Sequence, residues 1–144
     1  MKYRQATLAD YKDLGLLERQ QPRAAQWGES GWKTELTNRA AYVLCAQKDD
    51  EIVGFVALRL AVDVGEILNV AVSPAYCRQH IGEELLRRCL AWASSRGVEQ
   101  ITLEVGAGNL PALCLYYKLG FVQVGVRKNF YQNNEDAFIL KLSL

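Results

Sequence analysis

The segment EILNVAVSPAYCRQHIGEELL, residues 66–86, decides the fold because its pattern changes halfway along. Its first part, EILNVAV, is an apolar run of the kind that buried strands carry. From Ile81 onward, apolar residues recur at helical spacing as far as Ala93. A proline, several polar residues and Gly82 lie near the junction. The segment therefore predicts a strand, a loop and the start of a helix.

The helix predicted after this loop covers residues 79–96 and ends at Gly97, a residue type common just beyond helix ends. A second apolar run, EQITLEV at residues 99–105, predicts another strand. A helix that joins two strands in this way is a crossover connection, which makes the two strands parallel neighbours.

The rest of the chain extends this unit on both sides. We predict further strands at residues 2–7, 41–47, 52–62, 121–127 and 136–143, and the strand before the crossover at residues 65–73, after a break at Gly65. We predict helices from Thr7 to about Gln20, at residues 31–39 with Ser30 as N-cap, and at residues 109–120. Because short turns join the strands before the crossover, we expect those strands to be antiparallel. The order βααβββαβαββ predicts an α/β (α+β) fold, with a mixed, mainly antiparallel sheet of about seven strands flanked by four helices. We expect residues 1–144 to form a single domain.

Composition excludes several classes of function. Half of the residues are apolar and the formal net charge is +1, so we expect no direct binding to nucleic acid or to a membrane surface. No apolar run approaches the roughly 20 residues of a membrane-spanning helix. The N-terminus lacks the apolar centre of a signal peptide, and we expect a cytoplasmic protein.

Few residues of this chain suit a metal site. The four cysteines, Cys45, Cys77, Cys89 and Cys114, form no C-x-x-C pair, and His80 is the only histidine. Because a zinc site needs clustered ligands, we expect no metal ion, and reduced thiols that mostly fill the core.

The loop before the long helix has the properties of an anion site. The first turn of a helix carries unpaired N–H groups and a partial positive charge. Here these groups belong to residues from Arg78 to Glu83. Gly82 has no Cβ, so a ligand can approach the backbone, and Arg78 adds a cation. These features suit a pyrophosphate; the alternative is that Gly82 only lets the helix pack closely on the sheet.

Two longer motifs resemble those of the GCN5-related N-acetyltransferase (GNAT) superfamily. The segment LEVGAGNLPALCLYYKLGF, residues 103–121, resembles the family's block LEV…N-x-x-A-x-x-L-Y-x-x-x-G-F with its spacing intact. The matching residues are Asn109, Ala112, Leu115, Tyr116, Gly120 and Phe121. The segment RKNFYQNNEDAFILKL, residues 127–142, is similar to the R-R-N-Y-Y…E-D-A ending of the ribosomal-protein-alanine N-acetyltransferases, the RimI type. The resemblance is close from about Glu66 to the C-terminus and loose before it.

The resemblance implies an N-acetyltransferase that uses acetyl-CoA and no metal. In the family, the loop after the fourth strand reads Q/R-x-x-G-x-G/A and binds the pyrophosphate of acetyl-CoA. In this chain Cys77 and His80 stand at two of these positions, and Gly82 remains. We expect these two replacements to affect the affinity for acetyl-CoA more than the identity of the cofactor.

The resemblance also implies the chemistry and the two residues that perform it. Direct attack of an amine on a thioester needs a base for the amine, donors for the oxyanion and an acid for the departing thiolate. By resemblance, Glu104 is the general base and Tyr116 is the acid. The alternatives are a solvated strand glutamate and a core aromatic residue.

The contacts with the donor follow from the same resemblance. Val70, Ala71 and Val72 lie where the family places the pantetheine and the thioester, along the edge of a splayed strand; otherwise they are core strand residues. The pyrophosphate loop contributes Arg78, Gln79, His80, Ile81, Gly82 and Glu83. Asn109 matches the family's cofactor-contacting asparagine, and it is also suited to cap a helix.

The resemblance identifies the acceptor less specifically than it identifies the donor. In the RimI-type group it is the α-amine of a ribosomal protein with an N-terminal alanine. Trp27, Phe130 and Tyr131 are candidates to line a peptide groove, with ordinary hairpin packing as the alternative. Two other functions stay open: an acetyltransferase for small amines, and a non-catalytic module that binds acetyl-CoA.

Overall fold

The computed structural model describes residues 1–131 and 133–144. Within these residues it contains seven strands and four α-helices. The strands are β1 (Lys2–Gln5), β2 (Ala41–Lys48), β3 (Glu51–Ala61), β4 (Val64–Val72), β5 (Gln100–Gly106), β6 (Val122–Arg127) and β7 (Ala137–Ser143), and the helices are α1 (Tyr11–Arg19), α2 (Gly28–Leu36), α3 (Ile81–Ser95) and α4 (Leu110–Lys118). Short 3-10 turns at Leu8–Asp10 and Pro74–Tyr76 precede α1 and α3. The predicted order and fold class are confirmed.

All seven strands form one sheet in the order β1-β2-β3-β4-β5-β7-β6. Strands β4 and β5 are parallel, as the crossover helix predicts, and every other neighbouring pair is antiparallel. The parallel pairing runs only from Val64 opposite Gln100 to Ile67 opposite Leu103. Beyond it, β4 continues to Val72 and β5 to Gly106 without pairing with each other, so the sheet opens between them.

A bulge in β4 lies at the point where the two strands separate. Ala57 of β3 is opposite Asn69, whereas the next residue, Leu58, is opposite Ile67. Leu68 is therefore the extra residue, and a bulge of this kind bends its strand and increases the local twist. The bend carries the end of β4 away from β5.

Helices cover the sheet on both faces. Helices α3 and α4 pack on one face, where the core includes Leu85, Leu86, Cys89, Ile101, Leu103 and Leu140. Helices α1 and α2 pack on the other, over a cluster that contains Leu14, Trp32, Cys45 and Phe55. Cys45 and Cys89 are buried free thiols, and burial raises the pKa of each to about 11 and about 12 respectively. No helix among the described residues combines the length and apolarity needed to cross a membrane.

The structure corrects three predicted boundaries. Helix α2 begins at Gly28 and not behind Ser30. Helix α3 begins at Ile81 and not at residue 79, because His80 has a left-handed backbone with φ of 62°. Gly65 lies inside β4 and does not break it: a Cβ there would come within 2.7 Å of Ile101 Cδ1, so close packing accounts for the glycine.

Candidate active site

The edge of β4 directs backbone groups into the opening of the sheet. The Ser73 N–H donates to the Val53 carbonyl at 2.8 Å. Because hydrogen-bonding direction alternates along an antiparallel strand, Ala71 also faces β3, whereas Val70 and Val72 direct their N–H and C=O groups toward β5. The Gln21 side chain reaches the Val72 carbonyl from this side, at 2.6 Å. Of the three candidate residues on this strand, two thus present backbone donors to the opening.

The loop between β4 and α3 ends in three N–H groups that have no partner within the helix. The first hydrogen bond of α3 runs from the Glu84 N–H to the His80 carbonyl, at 3.0 Å. The N–H groups of Ile81, Gly82 and Glu83 therefore lie at the free end of the helix, which is the position where anions bind.

Two non-glycine residues of this loop have the positive φ angles that are typical of glycine. Arg78 and His80 have φ values of 66° and 62°, a region that glycine adopts readily. His80 stands at the position of the first glycine in the family loop that this segment resembles, and a glycine would adopt the same left-handed conformation without a steric cost. Residues 77–80, which include Gln79, are all exposed, and the imidazole points away from the core.

Gly82 lies between the end of β4 and helix α4. A Cβ at this position would be 3.6 Å from Val72 Cγ2 and 3.8 Å from Leu115 Cδ2, which are ordinary contact distances. Packing of the helix on the sheet therefore does not require a glycine here. The absence of a side chain leaves room beside the free N–H groups.

Asn109 occupies the N-cap position of α4, but its side chain makes no capping hydrogen bond. The residue is half-buried, and only its carbonyl takes part in the helix, by accepting the Leu113 N–H at 3.0 Å. The N-cap position is thus confirmed, but the helix does not use the side-chain amide, and the contact with the cofactor stays a prediction.

Glu104 lies on β5 beside the opening and forms a long-range ion pair. Its neighbours Leu103 and Val105 point into the core beneath α3 and α4, so Glu104 points to the face that carries α1 and α2. Its Oε1 lies 2.9 Å from Nε of Arg127, on the edge strand β6. The side chain is one-quarter exposed, so it is held in place and still reachable.

Tyr116 and Tyr117 have opposite environments on α4. Tyr116 is 9% exposed and packs edge-to-face on Phe121, with 5.7 Å between the ring centroids. Burial raises the pKa of Tyr116 to about 12, with a smaller contribution from Tyr131, so its hydroxyl keeps its proton at neutral pH. Tyr117 is 45% exposed. Leu113 is buried on the same side of α4 as Tyr116.

Tyr131 lies in the hairpin between β6 and β7, near the carboxylates of Glu104 and Glu135. Burial raises the pKa of Tyr131, and the nearby carboxylates of Glu104 and Glu135 raise it further. Its ring packs edge-to-face on Phe130, at 5.2 Å between centroids. Trp27 is placed differently, since its half-buried ring packs on Trp32 at 4.8 Å. The structure therefore brings Phe130 and Tyr131 together near Glu104, whereas Trp27 supports the α1–α2 loop from within.

Two polar clusters near this site were not anticipated from the sequence. Glu135, in the β6–β7 hairpin, pairs with Arg23 of the α1–α2 loop at 3.1 Å and accepts the Gly108 N–H at 2.9 Å. Glu18 and Asn69 form a buried pair at 2.8 Å. The asparagine inside the apolar run EILNVAV is a signal that could have indicated the second cluster, because a buried amide needs partners.

Among the described residues, no three potential metal ligands come together. The opening between β4 and β5 is bordered by the Glu104 carboxylate and by outward backbone N–H donors of β4, and the buried phenol of Tyr116 lies on the adjoining helix α4. Such a set can accept a proton, donate a proton and stabilise a developing negative charge on oxygen.

Comparisons with known proteins identify related sequences. Residues 7–121 match the model of the acetyltransferase (GNAT) family. The chain is 33% identical over 130 residues to the [ribosomal protein bS18]-alanine N-acetyltransferase of Escherichia coli strain K12, covering 87% of this chain and 86% of the relative.

Solved structures show the same fold. The crystal structure of the ribosomal-protein-S18-alanine N-acetyltransferase from Escherichia coli superposes with a TM-score of 0.90 at 27% identity, over 99% of this chain and 92% of the other. The PaiA N-acetyltransferase of Thermoplasma acidophilum, solved in complex with coenzyme A, has a TM-score of 0.83 at 20% identity, over 99% and 98%. The chain therefore belongs to the GNAT family of acetyltransferases.

Proposed function

We propose that this acetyltransferase transfers an acetyl group from acetyl-CoA to the α-amine of a protein N-terminus, such as that of a ribosomal protein that begins with alanine. The observation that supports the proposal is the position of the Glu104 carboxylate on β5 beside the opening, where its partner Arg127 also lies over the Phe130 ring, together with the buried Tyr116 phenol on the adjoining helix α4. The name of the Escherichia coli relative supports the choice of acceptor.

The residues of the opening fit the donor. The free N–H groups of Ile81, Gly82 and Glu83 suit its pyrophosphate, and exposed Arg78 supplies a cation nearby. The outward C=O group of Val70 and the outward N–H and C=O groups of Val72 suit the amides of its pantetheine arm. Because the chain of β4 is bent away from β5, an extended arm can take the place of a neighbouring strand there.

Different groups of the site act in different steps of acetyl transfer. The thioester supplies an activated acyl carbon, which the acceptor amine attacks directly. Glu104 accepts the proton that the amine loses as the C–N bond forms. The N–H group of Val70 stabilises the negative charge that develops on the carbonyl oxygen. The Tyr116 hydroxyl donates its proton to the sulfur as the C–S bond breaks.

The acceptor side is open enough for a polypeptide. Phe130 and Tyr131 are 49% and 36% exposed, and they lie beside Glu104 at the edge of the site. Aromatic side chains of this kind bind an extended peptide at low cost in conformational entropy. An acceptor that is a ribosomal protein implies a cytoplasmic enzyme that acts on a protein partner.

A mass-spectrometric assay tests the proposal. A peptide that begins with alanine is incubated with acetyl-CoA and enzyme, and it is compared with the same peptide formylated at its N-terminus and with a panel of polyamines, aminoglycosides and amino acids. We expect one acetyl group on the free α-amine and none on the blocked peptide. Acetylation of a small amine alone would establish the small-amine enzyme. Calorimetric binding of acetyl-CoA without any turnover would establish the non-catalytic module.

A further inference from the structure

Glu18 is a fully buried carboxylate at the end of α1, and two groups from outside the helix donate to it. Its exposed fraction is 0%. Oε1 accepts the Gly28 N–H at 3.1 Å, and Oε2 accepts Nδ2 of Asn69 at 2.8 Å. Gly28 begins α2, whereas Asn69 belongs to β4. One side chain thus connects three elements.

Asn69 extends this connection into the α1–α2 loop. It is 4% exposed, and its Oδ1 accepts the Ala25 N–H at 3.1 Å. Gln26 adds two further bonds, from its Nε2 to the carbonyls of Glu18 at 2.9 Å and Gln21 at 2.7 Å. The loop of residues 21–28 is therefore fastened at both ends and in the middle by hydrogen bonds, most of them half-buried.

The network is attached to the part of β4 that forms the opening. Asn69 directly follows the bulged residue Leu68 and directly precedes Val70, whose backbone faces the opening. At its far side, the same loop carries Arg23, which pairs with Glu135 in the hairpin of Tyr131. The loop, the bent strand and the hairpin thus border one site, and Glu18 fixes the first two relative to each other.

We propose that Glu18 is a positioning residue for acetyl transfer, which acts through Asn69 and the Gly28 N–H to hold the α1–α2 loop against the bent end of β4. The proposal rests on the proposed function, since it assigns the loop to the acceptor side of that site. Glu18 itself touches neither the donor nor the acceptor. Its removal is expected to weaken acceptor binding and to leave donor binding almost unchanged.

The network can be tested by exchanging the carboxylate of residue 18 and the amide of residue 69. In Glu18→Gln, the new amide faces Nδ2 of Asn69, so two donors oppose each other. In Asn69→Asp, two carboxylates oppose each other. In the double variant Glu18→Gln/Asn69→Asp, the glutamine amide donates to one aspartate oxygen, the other aspartate oxygen accepts the Ala25 N–H, and the glutamine oxygen accepts the Gly28 N–H. Every bond of the network is restored.

Kinetics measure the positioning role. We expect each single variant to raise the KM for an alanine-first peptide at least tenfold, with the acetyl-CoA Kd within about threefold of the parent. The double variant should return the KM to within about threefold. The exposed residue Glu29 provides a matched control, because Glu29→Gln removes a carboxylate from the neighbouring helix without touching the network. An unchanged KM in both single variants, or equal losses toward donor and acceptor, would overturn the proposal.

Hydrogen–deuterium exchange separates failure of this inference from failure of the proposed function. The Ala25 and Gly28 amides should exchange faster in both single variants and recover in the double variant, whether or not a peptide is acetylated. If the parent acetylates no peptide while exchange follows this pattern, the network stands and the proposed acceptor is wrong. If exchange at the two amides does not change in the single variants, Glu18 does not hold the loop.

Discussion

At the scale of the residue, the hydroxyl of Tyr116 is the group whose role is tested most directly. Its pKa of about 12 keeps it protonated at neutral pH, as a proton donor must be. We expect Tyr116→Phe to lower kcat by about 10² while the acetyl-CoA Kd changes little, because the ring packing on Phe121 is kept. Steady-state rates at saturating acetyl-CoA measure this.

The neighbouring phenol supplies the control for that experiment. Tyr117 is exposed, so Tyr117→Phe should leave the rate within a few-fold of the parent. A slower Tyr117→Phe enzyme would show that the wrong side of α4 has been assigned to the donor.

Glu104 carries a second prediction at this scale. Glu104→Gln keeps the shape of the side chain but removes the base, so kcat should fall by about 10² near neutral pH, with the acetyl-CoA Kd preserved. The loss should shrink at high pH, where the acceptor amine is already deprotonated. A pH–rate profile of both enzymes checks this. If the rate drops equally at every pH because the donor no longer binds, Glu104 is structural.

At the scale of the element, the loop between β4 and α3 is tested at Gly82. A β-branched residue would place methyl groups in the space beside the free N–H groups, so Gly82→Val should raise the acetyl-CoA Kd at least tenfold, about 1.4 kcal/mol. Gly82→Ala is the matched control, since its Cβ sits at ordinary distances from Val72 and Leu115 and should have a smaller effect. Calorimetry gives the Kd, and circular dichroism verifies the fold. An unchanged Kd in folded Gly82→Val would place the donor elsewhere.

His80 tests whether the shape of the same loop depends on its side chain. A left-handed backbone costs an L-residue roughly 1–2 kcal/mol, whereas glycine loses more entropy on folding. These effects nearly cancel, so His80→Gly should change the free energy of unfolding by no more than about 1 kcal/mol. The acetyl-CoA Kd should stay within a few-fold or become tighter. A large loss of affinity would show that the imidazole itself contacts the donor.

The sequence predicts most elements of this fold because local patterns determine them. The apolar run of β4 and the helical repeat of α3 lie next to each other in the chain, and their crossover defines the parallel pair. The ion pair of Glu104 with Arg127 joins distant strands, and it depends on a register that no local pattern contains. The asparagine in the apolar run of β4 indicates that a polar partner exists, but the bond from Asn69 to Glu18 depends on a bulge and on the packing of α1, so the identity of that partner could not be predicted.

At the scale of the whole molecule, Glu135 joins three segments that are far apart in the chain. The Gly108 N–H, and then the Arg23 guanidinium, hold the pKa of this carboxyl below its usual range. A lowered folded-state pKa means that the contact stabilises the protein above the ordinary pKa of a glutamate. This stabilisation is lost as the pH falls through the folded-state value.

We therefore expect Glu135→Gln to be less stable than the parent at pH 7 and closer to it near pH 3. Thermal unfolding at both pH values measures the difference in Tm. Glu99→Gln, at an exposed site outside any helix, should match the parent at both pH values. A constant Tm difference between parent and Glu135→Gln across this pH range would contradict the assignment of the shift to Glu135.

The short parallel pairing of β4 with β5 also determines how the chain could be divided. Only four register pairs, from Val64–Gln100 to Ile67–Leu103, join the strands of the first part of the sheet to those of the second. A cut at the exposed turn around Gly97 would leave β1–β4 in one fragment and β5–β7 in the other, each with its own antiparallel ladders intact. The two fragments are suited to a complementation experiment. Acetyl-CoA bound between β4 and β5 would contact both fragments and would therefore stabilise their association.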